Sequence, residues 1–214
     1  KFGEVNMVGY MRRFSVTFMK AKSLLNEGVI GKPLSFKAYA YSTDFLGVKG
    51  NSKVQTPKEG VVRDLGCHAL DLALWFFGDL QVEYAKIESV VNDGSMDSAH
   101  FSVNGLAGVV GEFNVSWCVD GYRMPEVGFM IEGSEGSLNV NDDELEIILK
   151  NGKRQKWLRH DLGDFVGFWL GSPEYYREDE SFVRAILQGG MVEPCFETAA
   201  KVDRLIDEVL AKAR

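Results

Sequence analysis

Cysteine is scarce in this chain: Cys67, Cys118 and Cys195 are the only three, they lie far apart, and no CxxC pair occurs. An odd number at such spacing excludes a disulfide framework and supplies no zinc knuckle; it fits a reducing cytoplasm. Histidine is equally sparse, and neither His100 nor His160 sits in a context that points to the site of His68. A zinc ion would therefore lack its usual third ligand, and no metal is expected. No unbroken apolar run is long enough to cross a bilayer, so no membrane partner is expected. The 24 Lys and Arg are scattered, and a net charge of −7 repels phosphate backbones, which argues against nucleic acid. Internal repeats and low-complexity tracts are also lacking. So is an initiator Met: Lys1 opens the chain without a signal-peptide core behind it, and Val5 to Tyr10 already reads as a buried strand. The expectation is that something preceded this strand in a parent protein.

What is present is ordinary globular composition, 214 residues with 45% hydrophobic and 26% charged, which suits one domain with a proper core. Ser15 can cap a helix whose apolar positions Val16, Phe18, Ala21, Leu24 and Leu25 recur at helical spacing, with Gly28 placed to terminate it. Leu34 to Tyr41 alternates as a half-buried strand, and Ser42 to Gly60 reads as a long aperiodic loop. A second helix covers Asp64 to Phe77 and closes at Gly78. From Val82 to Leu149 short alternating runs are broken by Asn-Asp-Gly, Asn-Gly, Asp-Gly and Gly-Ser, the pattern of an antiparallel meander. Asn151 to Tyr176 reads as loop, and helices follow over Asp179 to Gln188 and Glu197 to Lys212. The fold class is α+β: a large open, mainly antiparallel mixed sheet with helices packed on one face. A sheet face made of Phe101, Val103, Val109, Phe113, Val115 and Trp117 suits a subunit interface, and equally suits the same-side core of this domain.

The chemistry concentrates in the second helix. At about 100° per residue, Asp64, His68, Asp71 and Trp75 fall within a stripe about 60° wide, while Leu65, Ala69, Leu70, Ala73, Leu74, Phe76 and Phe77 cover the rest. Two readings stand. His68 is a general base, its tautomer fixed and its proton affinity raised by a carboxylate, as removal of a hydroxyl proton requires. Alternatively, His68 is a hydrogen-bonded core residue and Asp64 caps the helix.

Four stretches carry a family resemblance: Val-Gly-Tyr-Met-Arg-Arg-Phe at 8 to 14, Glu-Gly-Val-Ile-Gly-Lys-Pro at 27 to 33, Asp-Leu-Gly-Cys-His-Ala-Leu-Asp-Leu at 64 to 72, and Ile-Glu-Gly-Ser-Glu-Gly-Ser-Leu at 131 to 138. From about residue 4 to the last helix the chain resembles the C-terminal domain of the glucose-fructose oxidoreductase and inositol dehydrogenase family, Gfo/Idh/MocA. The resemblance implies that residues 1–214 form the substrate-binding and oligomerisation domain of a two-domain, NAD- or NADP-dependent sugar or polyol oxidoreductase. The parent would assemble into a homo-oligomer, a dimer or tetramer, through a sheet face. Asp64 and His68 would contact a small-molecule sugar or polyol, with His68 exchanging the proton. Met11 and Arg12 would line the same cleft with Arg13 near it, and Asp71 would bind substrate or support the helix. Two family elements are missing: no Gly-x-Gly-x-x-Gly turn exists, since Gly105, Gly108 and Gly111 have the wrong spacing, and no Glu-Lys-Pro lysine is present. Both belong to the dinucleotide-binding half, so this chain alone is expected to bind no nicotinamide cofactor and to be inactive. The alternative is a non-catalytic ligand-sensing regulator or oligomerisation module of the same fold.

Overall fold

The computed structural model describes residues 4–44, 60–91, 95–164 and 173–213. Its frame is one eight-stranded sheet, in spatial order β2-β3-β4-β1-β5-β6-β7-β8. The strands are β1 (Pro33–Tyr41), β2 (Leu80–Glu88), β3 (Ser98–Gly105), β4 (Val110–Ser116), β5 (Glu126–Gly133), β6 (Gly136–Asn141), β7 (Glu144–Leu149) and β8 (Arg154–Leu158). Pairing is antiparallel throughout except between β1 and β4, which run parallel, so the sheet is mixed as expected. Four helices, α1 (Val16–Asn26), α2 (Cys67–Phe77), α3 (Pro173–Gln188) and α4 (Phe196–Lys212), complete the α+β domain.

Alternation decides which sheet face is covered. In β1 the side chains of Phe36, Ala38 and Ala40 are buried and Lys37 is exposed, the period-two pattern of a strand with one wet face. Phe36 stacks on Phe77 of α2 at 4.5 Å and meets Phe113 of β4 and Phe129 of β5, tying helix to sheet. Phe101, Val103, Val109, Phe113, Val115 and Trp117 are all buried within the chain. This apolar set is therefore the domain's own core, and the interface expectation for it is corrected. The opposite face carries exposed Tyr84, Val110, Met130 and Ile148 among charged neighbours such as Lys37 and Glu112.

Two of the sequence stretches dock on one another. Gly31 has φ +72°, and a Cβ there would stand 2.2 Å from Ser134 Oγ; a Cβ on Gly133 would stand 2.1 Å from the Ile30 carbonyl oxygen. Only glycine permits this approach. It is closed by Ser134 N–H to Lys32 O at 2.9 Å and Glu135 N–H to Ile30 O at 2.9 Å.

Some boundaries differ from the sequence expectation. Val5 to Tyr10 has no regular secondary structure and joins no sheet among the described residues; its Val8 N–H donates to Pro194 O at 2.9 Å, and a 3₁₀ turn, Met11–Phe14, follows. β8 lies in the stretch read as loop, because this edge strand is polar and mostly exposed and carries no alternation. α3 begins at Pro173, where proline suits the first turn of a helix. Of the long Ser42 to Gly60 loop, residues 45–59 lie outside the described residues. Among the described residues no helix is long and apolar enough to cross a membrane.

Candidate active site

The segment leading into α2 does not begin as a capped α-helix. Val62–Gly66 forms a π-helical turn whose N-terminal flank, Val61, is itself helical, so Asp64 lies inside the helix path and caps nothing. A π turn widens the helix and re-aims its side chains, and such turns often mark functional sites. Asp64 Oδ2 accepts a hydrogen bond from Trp117 Nε1 at 3.0 Å. Trp117 follows β4 and is buried, so a rigid donor from the sheet sets the carboxylate's orientation.

Asp64 and His68 line a cleft of about 560 Å³, together with Met11 and Arg12. Four of the five residues expected at the site are thus brought together. The fifth, Asp71, is not among the lining residues: it is 1% exposed and receives Arg13 in a bidentate pair, Nε to Oδ2 at 2.8 Å and Nη2 to Oδ1 at 2.7 Å. Asp71 thus forms a buried ion pair with Arg13, in keeping with the expectation that it supports the helix. Burial pushes its carboxyl up to about 6, and Arg13 limits that rise.

The hydrogen bond that both sequence readings expected at His68 is not formed among the described residues. The ring Nδ1 is enclosed and has no hydrogen-bond partner among the described residues, so Asp64 does not hold the ring. Instead Tyr10 packs edge-on against it at 6.0 Å. Burial, with the charge of Arg12 in second place, lowers its pKa to about 3. The expected rise in proton affinity is therefore reversed, since both causes disfavour an imidazolium. At neutral pH the ring is uncharged, the form that can accept a proton.

Arg12 is 5% exposed. Its Nε contacts both Asp142 oxygens at 3.2 and 3.3 Å, and its Nη2 donates to Pro125 O at 2.9 Å. Asp142, which follows β6, also accepts the Val127 N–H at 2.9 Å. Burial raises its carboxyl, opposed by Arg12 and by that amide. The far wall comes from Glu126, Asp143, Arg159, Glu174 and Tyr175. There Arg159 Nη2 donates to Asp164 at 2.8 Å and to Glu174 at 3.2 Å, while Arg177 Nη1 reaches the other Asp164 oxygen at 2.7 Å. Burial alone would raise the Asp164 carboxyl, but the two arginines outweigh it and hold it below its ordinary value.

None of these wall residues was found from sequence. Asn-Asp-Asp at 141 to 143 carries a turn signature, and Arg159 and Glu174 lie in the stretch read as loop; a strand-end Asp-Asp beside an edge strand was the signal available. Among the described residues no three His, Cys, Asp or Glu side chains gather into a metal-binding set. His100 pairs with Asn114 at 3.0 Å on the wet sheet face, and His160 is exposed beside Asp161.

The GFO/IDH/MocA C-terminal domain family matches residues 18–139. Levoglucosan dehydrogenase of Pseudarthrobacter phenanthrenivorans is 24% identical over 255 residues, covering 98% of this chain and 64% of the relative. D-apiose dehydrogenase of Paraburkholderia graminis is 29% identical over 135 residues, 61% of this chain and 36% of the relative. The solved structure of a levoglucosan dehydrogenase complexed with NADH and levoglucosan superimposes with a TM-score of 0.85 at 21% identity, covering 99% of this chain and 64% of that one. At that identity the likeness is one of fold, and this chain spans less than two thirds of the length of these relatives. With more than half of its residues matched by the family, the chain belongs to GFO/IDH/MocA as a C-terminal domain of that family.

Proposed function

We infer that this chain is the substrate-binding and proton-exchanging domain of an NAD(P)-dependent oxidoreductase acting on a sugar, polyol or sugar derivative. The observation that carries this reading is the cleft wall, where an uncharged His68 stands beside a carboxylate, Asp64, that a buried indole holds in place. The names of the relatives, dehydrogenases of levoglucosan and D-apiose, and the NADH complex of the superimposed structure support the same class.

A dinucleotide does not fit this cleft. The pyrophosphate would face carboxylates, and the glycine-rich strand-to-helix turn that cradles phosphates has no counterpart in the sequence. The nicotinamide cofactor belongs to a separate dinucleotide-binding domain of the complete polypeptide, and residues 1–214 form the substrate domain. Asp64 accepts a substrate hydroxyl, and neutral His68 takes a hydroxyl proton at a ring nitrogen. The resulting imidazolium is costly, because the ring is buried and Arg12 lies close. The protein works in the cytoplasm as a dimer or tetramer, associating through the sheet face that bears Tyr84, Val110, Met130 and Ile148.

One observation favours the second reading, a ligand-sensing regulator: the lowered proton affinity of His68 makes it a weak base. Hydride transfer to NAD(P) by the complete polypeptide, measured with a panel of sugars and polyols, separates the two. His68→Asn is expected to lower kcat by about 10²- to 10⁴-fold with little change in sugar affinity. Wild-type turnover that survives the substitution unchanged would remove His68 from catalysis.

A further inference from the structure

We propose that the cleft selects uncharged polyhydroxylated molecules, accepts cationic amino sugars, and rejects sugar acids and sugar phosphates. The inference rests on the reading of this cleft as a sugar or polyol site and adds a charge class to it.

The lining carries five carboxylates, Asp64, Glu126, Asp142, Asp143 and Glu174, against two guanidiniums, Arg12 and Arg159. The excess of acid alone would decide little if the arginines were available to an anion, but both are engaged. Arg12 is spent on Asp142 and the Pro125 carbonyl. Arg159 is shared between Asp164 and Glu174. The Trp117 indole N–H is directed to Asp64, and burial keeps His68 uncharged. What the described residues offer an occupant is therefore mainly acceptors.

A neutral polyol matches such a surface because each hydroxyl can donate to a carboxylate, a short and charge-assisted hydrogen bond. A phosphate or carboxylate at neutral pH has no proton to give and brings like charge next to like charge. Two like charges in a confined, poorly hydrated site weaken binding by on the order of 10²-fold or more. An ammonium group in place of one hydroxyl adds donors and opposite charge, so it is expected to bind at least as well as the neutral parent.

The test is a titration of the chain with D-glucose, D-glucosamine and D-glucose 6-phosphate, followed by chemical-shift changes at the Met11 methyl, the His68 ring and the Trp117 indole. It is run at about 0.15 M ionic strength, where the overall negative charge of the protein reaches only about 8 Å. The expected order is glucosamine at least equal to glucose, with the phosphate weaker by about 10²-fold. Asp142→Asn, which releases the charge of Arg12, is expected to shift the phosphate-to-glucose affinity ratio toward the phosphate by about tenfold. Since Asp142 also holds Val127, the exposed Asp143→Asn provides a second variant that does not burden the fold, with a shift in the same direction. Phosphate binding within about threefold of glucose, with hydride transfer by the complete polypeptide intact, would overturn the charge selectivity alone. Failure of all three sugars to perturb the cleft would overturn it together with the reading of the cleft as a sugar site.

Discussion

Replacing Arg13 by Met separates a structural role for the Asp71 pair from a role in binding. The substitution keeps an unbranched apolar stem but removes both donors to a carboxylate that is 1% exposed. Breaking a buried pair by deleting one partner costs about 3–5 kcal/mol, because the remaining charge is left in a poorly polarisable site. For a domain of this size each kcal/mol lowers Tm by about 2–4 °C, so a fall of about 6–20 °C is expected. Replacing both residues, as Arg13→Met with Asp71→Leu, removes the stranded charge and recovers much of the loss, so the two single effects do not add. A pH signature accompanies this. Burial already places the folded-state pKa of Asp71 above its ordinary 3.8, at about 6, with Arg13 holding it back. Without Arg13 it rises further. A carboxyl raised in the folded state contributes stability that is fully present below its unfolded pKa and is lost as pH rises through the folded value. The deficit of Arg13→Met should therefore be larger at pH 8 than at pH 5, as measured by urea unfolding. A loss below about 1 kcal/mol, additive single effects, or equal deficits at both pH values would refute the reasoning.

The ring of His68 should titrate near pH 3 by NMR; being neutral when folded and protonated when unfolded, it makes stability fall as pH drops below about 6.5, a slope that His68→Asn should flatten. A midpoint at 6 or above would contradict its burial. Light scattering should find a dimer or tetramer that Val110→Asp with Met130→Asp converts to monomer, and a strictly monomeric wild type at high concentration would deny the wet sheet face its role. Calorimetric titration of this chain with NADH and NADPH should give no binding in the low micromolar range, and such binding would mean that a dinucleotide site has been missed. Gly133→Ala drives a methyl group into the Ile30 carbonyl and should lower stability by about 1–3 kcal/mol in urea unfolding, so a neutral variant would show that the two docked turns relax freely.

Much of the frame was legible because it depends on neighbours a few residues away. Helix α1 ends where Gly28, with φ +69°, can turn left-handed, as the sequence indicated. β1 alternates because period two follows from the pleat, and Asp64 and His68 share a wall because four residues make about one helical turn. Where local signals were weak the reading failed: β8 is a polar edge strand held by β7, and Val5 to Tyr10 is apolar enough to look like a strand yet finds a loop for its partner.

The sequence by itself determined the fold class, the family motifs and which residue types stand on the α2 wall. Only the tertiary structure decided what each of those residues touches. Asp71 meets Arg13 across 58 residues, Trp117 reaches Asp64 across 53, and Arg12 reaches Asp142 across 130. Helical spacing places a side chain on one side of a helix, but its partner, its burial and so its charge state come from whichever strand or turn packs there. For that reason His68, expected to be held by a carboxylate and made more basic, is instead enclosed, its Nδ1 without a hydrogen-bond partner among the described residues, and made less so.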